Sequence, residues 1–167
     1  GIARPLLIGD HDRIEAIVET LGLSFEPDVL DPAATNLDRY AEWLYEQRQR
    51  KGVTRREAAE LVTNGDYLGS VLVEMDEADA LLTGLTHHYP SALRPPLEVI
   101  GTAPDTEYAA GVYLLTFKNR VVFCADATVN VAPDADVLTE VTCHTAELAR
   151  EFNVEPRAAL LSYSDFG

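Results

Sequence analysis

The apolar residues of this chain change their spacing near Gly101, and that change limits the folds open to it. Before it, "PLLIG" is a short buried-strand candidate. Asp10 then stands where an N-cap belongs, ahead of Ile14, Ile17, Val18 and Leu21 at helical spacing, and Gly22 closes the helix. Strand, tight turn and helix open an α/β unit. After a second strand candidate, "PDVLDP", the stretch from Asn36 to Arg50 places Leu37, Tyr40, Ala41, Leu44 and Tyr45 on one helical face, and Gly52 stops it. Thr54 and Glu57 form a T-x-x-E capping box for a helix through Leu61. "GDYLGSVLVEM" predicts another helix and "ADALLTG" a buried strand. "SALRPPLEVIG" predicts a helix capped by Ser91 and ended by Gly101, with Pro95 and Pro96 confined to its first turn.

Beyond "GTAPDTE" the period becomes two. "AAGVYLLTF", the turn Lys118–Asn119 and "RVVFCADATVN" predict a β-hairpin. Asp134 can cap a helix from Val137 to Phe152, and "RAALLSYS" predicts one more strand. The expectation is an α/β chain in two lobes, residues 1–102 and 103–167. A buried strand of such a sheet is normally covered by a crossover helix, and none follows Gly167. "GIARPLLIGD" likewise reads as the interior of a domain. The fold is therefore expected to be incomplete at both ends.

Charge narrows the function classes. The formal net charge is -15. A polyphosphate backbone is bound by surplus Lys and Arg that displace its counterions, so nucleic acid is excluded as the expected partner, and an anionic membrane surface is disfavoured for the same reason. No apolar run reaches the roughly 20 residues of a membrane helix. Cys124 and Cys143 form no C-x-x-C pair and read as reduced core residues of a cytoplasmic protein.

Against this acidic background, "RQRKGVTRR" holds Arg48, Arg50, Lys51, Arg55 and Arg56, five of the thirteen Lys and Arg residues. Two readings are open. Cations at the end of a helix complement its dipole, and an island of positive charge can hold an anionic small molecule, for which the planar fork of Arg is suited. Arg94 in "SALRPP" is the second candidate, expected in a first helical turn where free N–H groups favour anions; it reads either as an anion-binding residue or as half of an ordinary surface ion pair. Tyr89 and Ser91 beside it are secondary candidates. Asn130, with Asp126 at the end of the hairpin, either lines a cleft or serves turn chemistry before Pro133. His87 and His88 are adjacent and lack a spaced third ligand, so no metal site is expected. Ser162 or Ser164 with His144 makes no recognisable triad, and the terminal "DFG" without the other kinase signatures is a chance tripeptide.

Five segments taken in order resemble the phosphate acetyl/butyryltransferase family: "GIARPLLIG", "YEQRQRKGVTRREAAELV", "DYLGSVLVEMDEADALLTGLTHHYPSALRPPLEVIGTAP", "FCADATVNVAPDADVLTEV" and "FNVEPRAALLSYSDFG". In wording, "ADALLTGLTHHYP" and "LLSYSDFG" resemble the phosphotransacetylase-like C-terminal domain of multimodular NADP-dependent malic enzymes. The family resemblance implies a two-lobed phosphotransacetylase fold of the isocitrate/isopropylmalate dehydrogenase kind, self-association as a dimer or higher oligomer, and CoA or acetyl-CoA as ligand. It also implies that Arg48 and Arg94 bind CoA or acetyl phosphate. The transferases further use a serine and an aspartate in a D-L-S-R-G type segment, which has no counterpart in this sequence, so no catalytic residue is expected within it. The malic-enzyme resemblance implies a domain that binds acetyl-CoA as an allosteric effector, with NADP and a divalent metal held by other modules. The alternative is part of a catalytic phosphate acetyltransferase.

Overall fold

The computed structural model describes residues 3–104 and 106–161. In chain order its elements are β1 (Leu6–Ile8), α1 (His11–Thr20), β2 (Asp28–Leu30), α2 (Asp38–Arg48), a 3-10 turn (Gln49–Lys51), α3 (Arg55–Leu61), α4 (Gly65–Glu74), α5 (Tyr89–Val99), β3 (Val112–Phe117), β4 (Arg120–Ala125) and α6 (Ala135–Glu151). They fall into two compact units, Gly1–Gly101 and Thr102–Gly167.

In the first unit β1 and β2 pair in parallel, Leu7 opposite Val29. A parallel pair needs a crossover, and α1 supplies it. The Asp10 carboxylate accepts the Arg13 N–H at 2.7 Å to start that helix, and Gly22, at φ +62°, lets the chain leave it. The core lies under the sheet, where Tyr40 and Leu44 of α2, Ala58 of α3, Val62 just after it, and Leu68, Val71 and Leu72 of α4 are buried, with Ile8 and Leu30 packed on them. Helix α4 is covered along Leu68–Leu72 rather than along one stripe. Its buried Ser70 donates to the Asp66 carbonyl at 2.7 Å, which satisfies the hydroxyl within the helix. The capping box of α3 forms as expected: the Thr54 N–H donates to the Glu57 carboxylate at 2.8 Å and the Glu57 N–H to Thr54 Oγ1 at 3.2 Å.

Two expectations for this unit are corrected. "ADALLTG" is not a strand: it carries no regular structure, and its Leu82 is 99% exposed. No third strand joins β1 and β2 among the described residues, so an apolar run there has no ladder to enter. The segment is tethered through polar groups instead, with the Thr83 hydroxyl donating to the Asp66 carboxylate and His87 Nδ1 lying 3.0 Å from its other oxygen. Helix α5 starts two residues before the expected cap. His88 takes the N-cap position in place of Ser91, Pro90 lies in the first turn, and Pro95 and Pro96 stand inside the helix. The first turn is closed by the Ala92 N–H on the His88 carbonyl at 3.1 Å. Arg94 is consequently one turn further in than expected, beyond the free N–H groups of the helix start.

In the second unit β3 and β4 form the expected antiparallel hairpin, with Phe117 opposite Arg120 across Lys118–Asn119. Asp134 caps α6 by accepting from Asp136 and Val137. The helix buries Val137, Val141 and Ala149, and Phe123 of β4 meets Phe152 edge-on at 5.8 Å between centroids. Cys124 and Cys143, expected in the core, are instead both exposed free thiols. Of the expected last strand, Arg157–Leu161 carry no regular structure. Its remainder, with Ser162 and Ser164, lies outside the described residues.

Candidate anion-binding groove

Arg48 is the last residue of α2, and the chain then tightens into the Gln49–Lys51 turn and is released by Gly52 at φ +93°, a left-handed conformation suited to glycine. This brings Arg48 and Lys51 to one side of an open groove of about 530 Å³. The remaining lining comes from one face of α5: Pro90, Leu93, Arg94, Leu97 and Glu98. Arg48 and Arg94, singled out separately in the sequence, are thus brought together.

The Arg48 side chain is only 15% exposed. Its Nη1 donates to the backbone carbonyl of Glu98 at 2.6 Å, and its Nη2 lies 3.4 Å from the Glu98 carboxylate. That carboxylate also accepts the Tyr67 hydroxyl at 2.7 Å. Burial, reinforced by the neighbouring Glu98, pushes Tyr67 up to about 12, with Arg94 and Arg48 opposing the rise. Tyr67 is therefore a neutral donor throughout the ordinary pH range. Three cations and one carboxylate line the groove, a local surplus of positive charge in a strongly acidic chain. Such a site can hold a phosphoryl dianion through paired N–H donors.

Sequence reasoning missed Tyr67 and Glu98. The four-residue spacing of Arg94 and Glu98 placed both on one helical face and could have drawn attention to Glu98. Nothing local pointed to Tyr67.

The rest of the basic island divides away from this groove. Arg55 stacks over the Tyr45 ring at 4.3 Å and pairs with Glu42, while Arg56 pairs with Glu60 at 2.9 Å. Tyr89 is the first residue of α5 and Ser91 is exposed, but neither lines the groove, whereas Pro90 between them does. Asn130 belongs to the second unit, where its amide donates to the Ala109 carbonyl at 3.1 Å and to the Asp126 carboxylate at 2.8 Å. With Asp126 at φ +51°, these bonds close a turn within the second unit. Three potential ligand groups cluster at His11, Asp12 and Glu15, all exposed at the start of α1.

The raised Tyr67 pKa has a consequence for stability. The protonated phenol is favoured in the folded state, so its contribution is complete below the usual tyrosine value of 10.0 and is lost as pH rises through about 12. Urea midpoints measured across that window are expected to fall more steeply for the wild type than for Tyr67→Phe. Equal slopes would remove the Tyr67–Glu98 hydrogen bond from the account.

The family model described as "Phosphate acetyl/butaryl transferase" matches residues 1–167. The chain is 34% identical over 168 residues to a phosphate acetyltransferase of Synechocystis sp., covering 98% of this chain and 24% of the relative. It is 33% identical over 166 residues to the phosphate acetyltransferase of Salmonella typhimurium, covering 98% and 23%. Among solved structures, a phosphotransacetylase from Streptococcus pyogenes superimposes with a TM-score of 0.87 at 29% identity, over 98% of this chain and 51% of that one. The EutD phosphotransacetylase from Staphylococcus aureus gives 0.80 at 27% identity, over 96% and 49%. The chain thus spans about a quarter of the length of the curated relatives.

Proposed function

Because the chain belongs to the phosphate acetyl/butaryl transferase family, we propose that the full-length protein transfers an acetyl group between CoA and phosphate, and that this chain supplies the anion-binding groove for that reaction. The observation that carries this reading is the convergence of Arg48, Lys51 and Arg94 on one groove. In the transfer a phosphate oxygen attacks the thioester carbonyl of acetyl-CoA, the new C–O bond forms as the C–S bond breaks, and the CoA sulfur leaves and takes up a proton. An anionic nucleophile approaching a phosphorylated cofactor is opposed by charge repulsion. Arg48, Lys51 and Arg94 offset that repulsion and hold the dianion in place. This sequence contains no D-L-S-R-G type segment, so its part is to bind and orient rather than to move the proton.

The relatives favour this reading over the expected acetyl-CoA-sensing domain of an NADP-dependent malic enzyme. Those reported are phosphate acetyltransferases and phosphotransacetylases. They lend no support to oxidoreductase chemistry, to NADP or to a divalent metal. Self-association, and a two-lobed architecture of the isocitrate/isopropylmalate dehydrogenase kind, go with the proposal and rest on the family resemblance. Among the described residues no helix is long and apolar enough to cross a membrane. Calorimetric titration of the full-length protein with acetyl-CoA and with inorganic phosphate tests the binding. Saturable binding of both is expected, and failure of the wild type to bind either would overturn the reading.

A further inference from the structure

Tyr67 does not line the groove, yet its hydroxyl meets Glu98, which does, beside Arg48. We propose that they form a positioning pair that holds the Arg48 guanidinium at the groove and keeps Arg94 free to receive a phosphoryl dianion; this rests on the phosphate-binding reading above. Glu98 grips Arg48 twice, through its backbone carbonyl at 2.6 Å and its carboxylate at 3.4 Å. Both contacts use the terminal nitrogens of the fork, and Nε–H makes no hydrogen bond among the described residues. The Tyr67 hydroxyl, 2.7 Å from the same carboxylate, fixes its direction from a different helix.

Direction matters because Glu98 has a competing partner. It stands four residues after Arg94 on α5, the spacing at which side chains on a helix meet and pair. The observed geometry sends the carboxylate to Tyr67 and Arg48 instead, and no ion pair of Arg94 occurs among the described residues. The pairing with Glu98 holds Arg48 in place, and with Lys51 and Arg94 beside it the groove keeps a net positive charge, three cations against one carboxylate. A carboxylate released from Tyr67 could swing to Arg94, neutralise it and leave Arg48 loosely held. Holding a charged fork in its binding geometry before the ligand arrives lowers the ordering cost of binding.

Tyr67→Phe isolates this effect, since it removes one hydroxyl and leaves every charge in the groove and nearly all of the ring volume. In the full-length protein, the Kd for inorganic phosphate is expected to rise by about five- to tenfold, the range of one lost hydrogen bond. The KM for phosphate in acetyl transfer should rise in parallel, with kcat changed by less than about twofold, because uniform binding alone is lost. A merely structural hydroxyl would lower the thermal midpoint and leave the phosphate Kd unchanged, and that result overturns the positioning pair. The two readings fail in different ways. Wild-type protein that does not bind phosphate removes the groove's function and the pair with it, whereas equal binding by wild type and Tyr67→Phe removes the pair alone.

Discussion

Arg48→Ala is expected to weaken binding of inorganic phosphate to the full-length protein by about 10- to 100-fold. A hydrogen bond to a charged group contributes about 1.5–3 kcal/mol, and each 1.4 kcal/mol is a factor of ten in affinity. The loss does not end with the missing donor. Glu98, whose side chain is 34% exposed, would keep its carboxylate without its cationic partner. The groove would then lose one positive charge and present an uncompensated negative one to an incoming anion. Arg48→Lys separates the two effects, because lysine restores the charge as a point but not the planar fork. It should recover part of the affinity. Calorimetry reads both, and a dissociation constant unchanged in Arg48→Ala would remove Arg48 from the site.

Leu68→Ala is expected to lower stability by about 2–5 kcal/mol, the range for emptying a buried leucine site. Leu68 is wholly buried, in the cluster that α2, α3 and α4 build beneath the sheet. Set against the total of about 5–15 kcal/mol that holds a typical domain, this is enough to shift the urea midpoint plainly. Leu82→Ala is the paired control. Leu82 was expected in a buried strand but is 99% exposed, so its truncation should stay within about 0.5 kcal/mol. A large effect at Leu82 would mean that the segment after α4 packs differently, and a small one at Leu68 would contradict its place in the core.

What the sequence disclosed and what it withheld follow the range of the interactions involved. Asp10, the Thr54–Glu57 box and Asp134 cap their helices with bonds spanning two or three residues, so the signal and its partner sit side by side in the chain. The hairpin turn at Lys118–Asn119 is equally local. "ADALLTG" misled because its composition suits a strand, while no partner strand for it occurs among the described residues. The start of α5 misled because Ser91 is the better capping residue by type, yet the backbone closes on His88. Arg48 and Arg94 were legible as cations in an acidic chain, but their meeting in one groove depends on where α2 and α5 pack. Glu98 left a faint trace in its spacing from Arg94. Tyr67 left none, since its part depends on a contact between two helices.

The most direct measurement is the formation of acetyl phosphate from acetyl-CoA and inorganic phosphate by the full-length protein, followed through release of the free CoA thiol. The account predicts turnover that saturates in phosphate and releases one CoA for each acetyl phosphate. It further predicts a KM for phosphate raised at least tenfold in Arg48→Ala and in Arg94→Ala, since each removes a charged hydrogen bond of about 1.5–3 kcal/mol. Tight binding of acetyl-CoA without turnover would contradict it, and would assign the groove to sensing acetyl-CoA rather than to transferring its acetyl group.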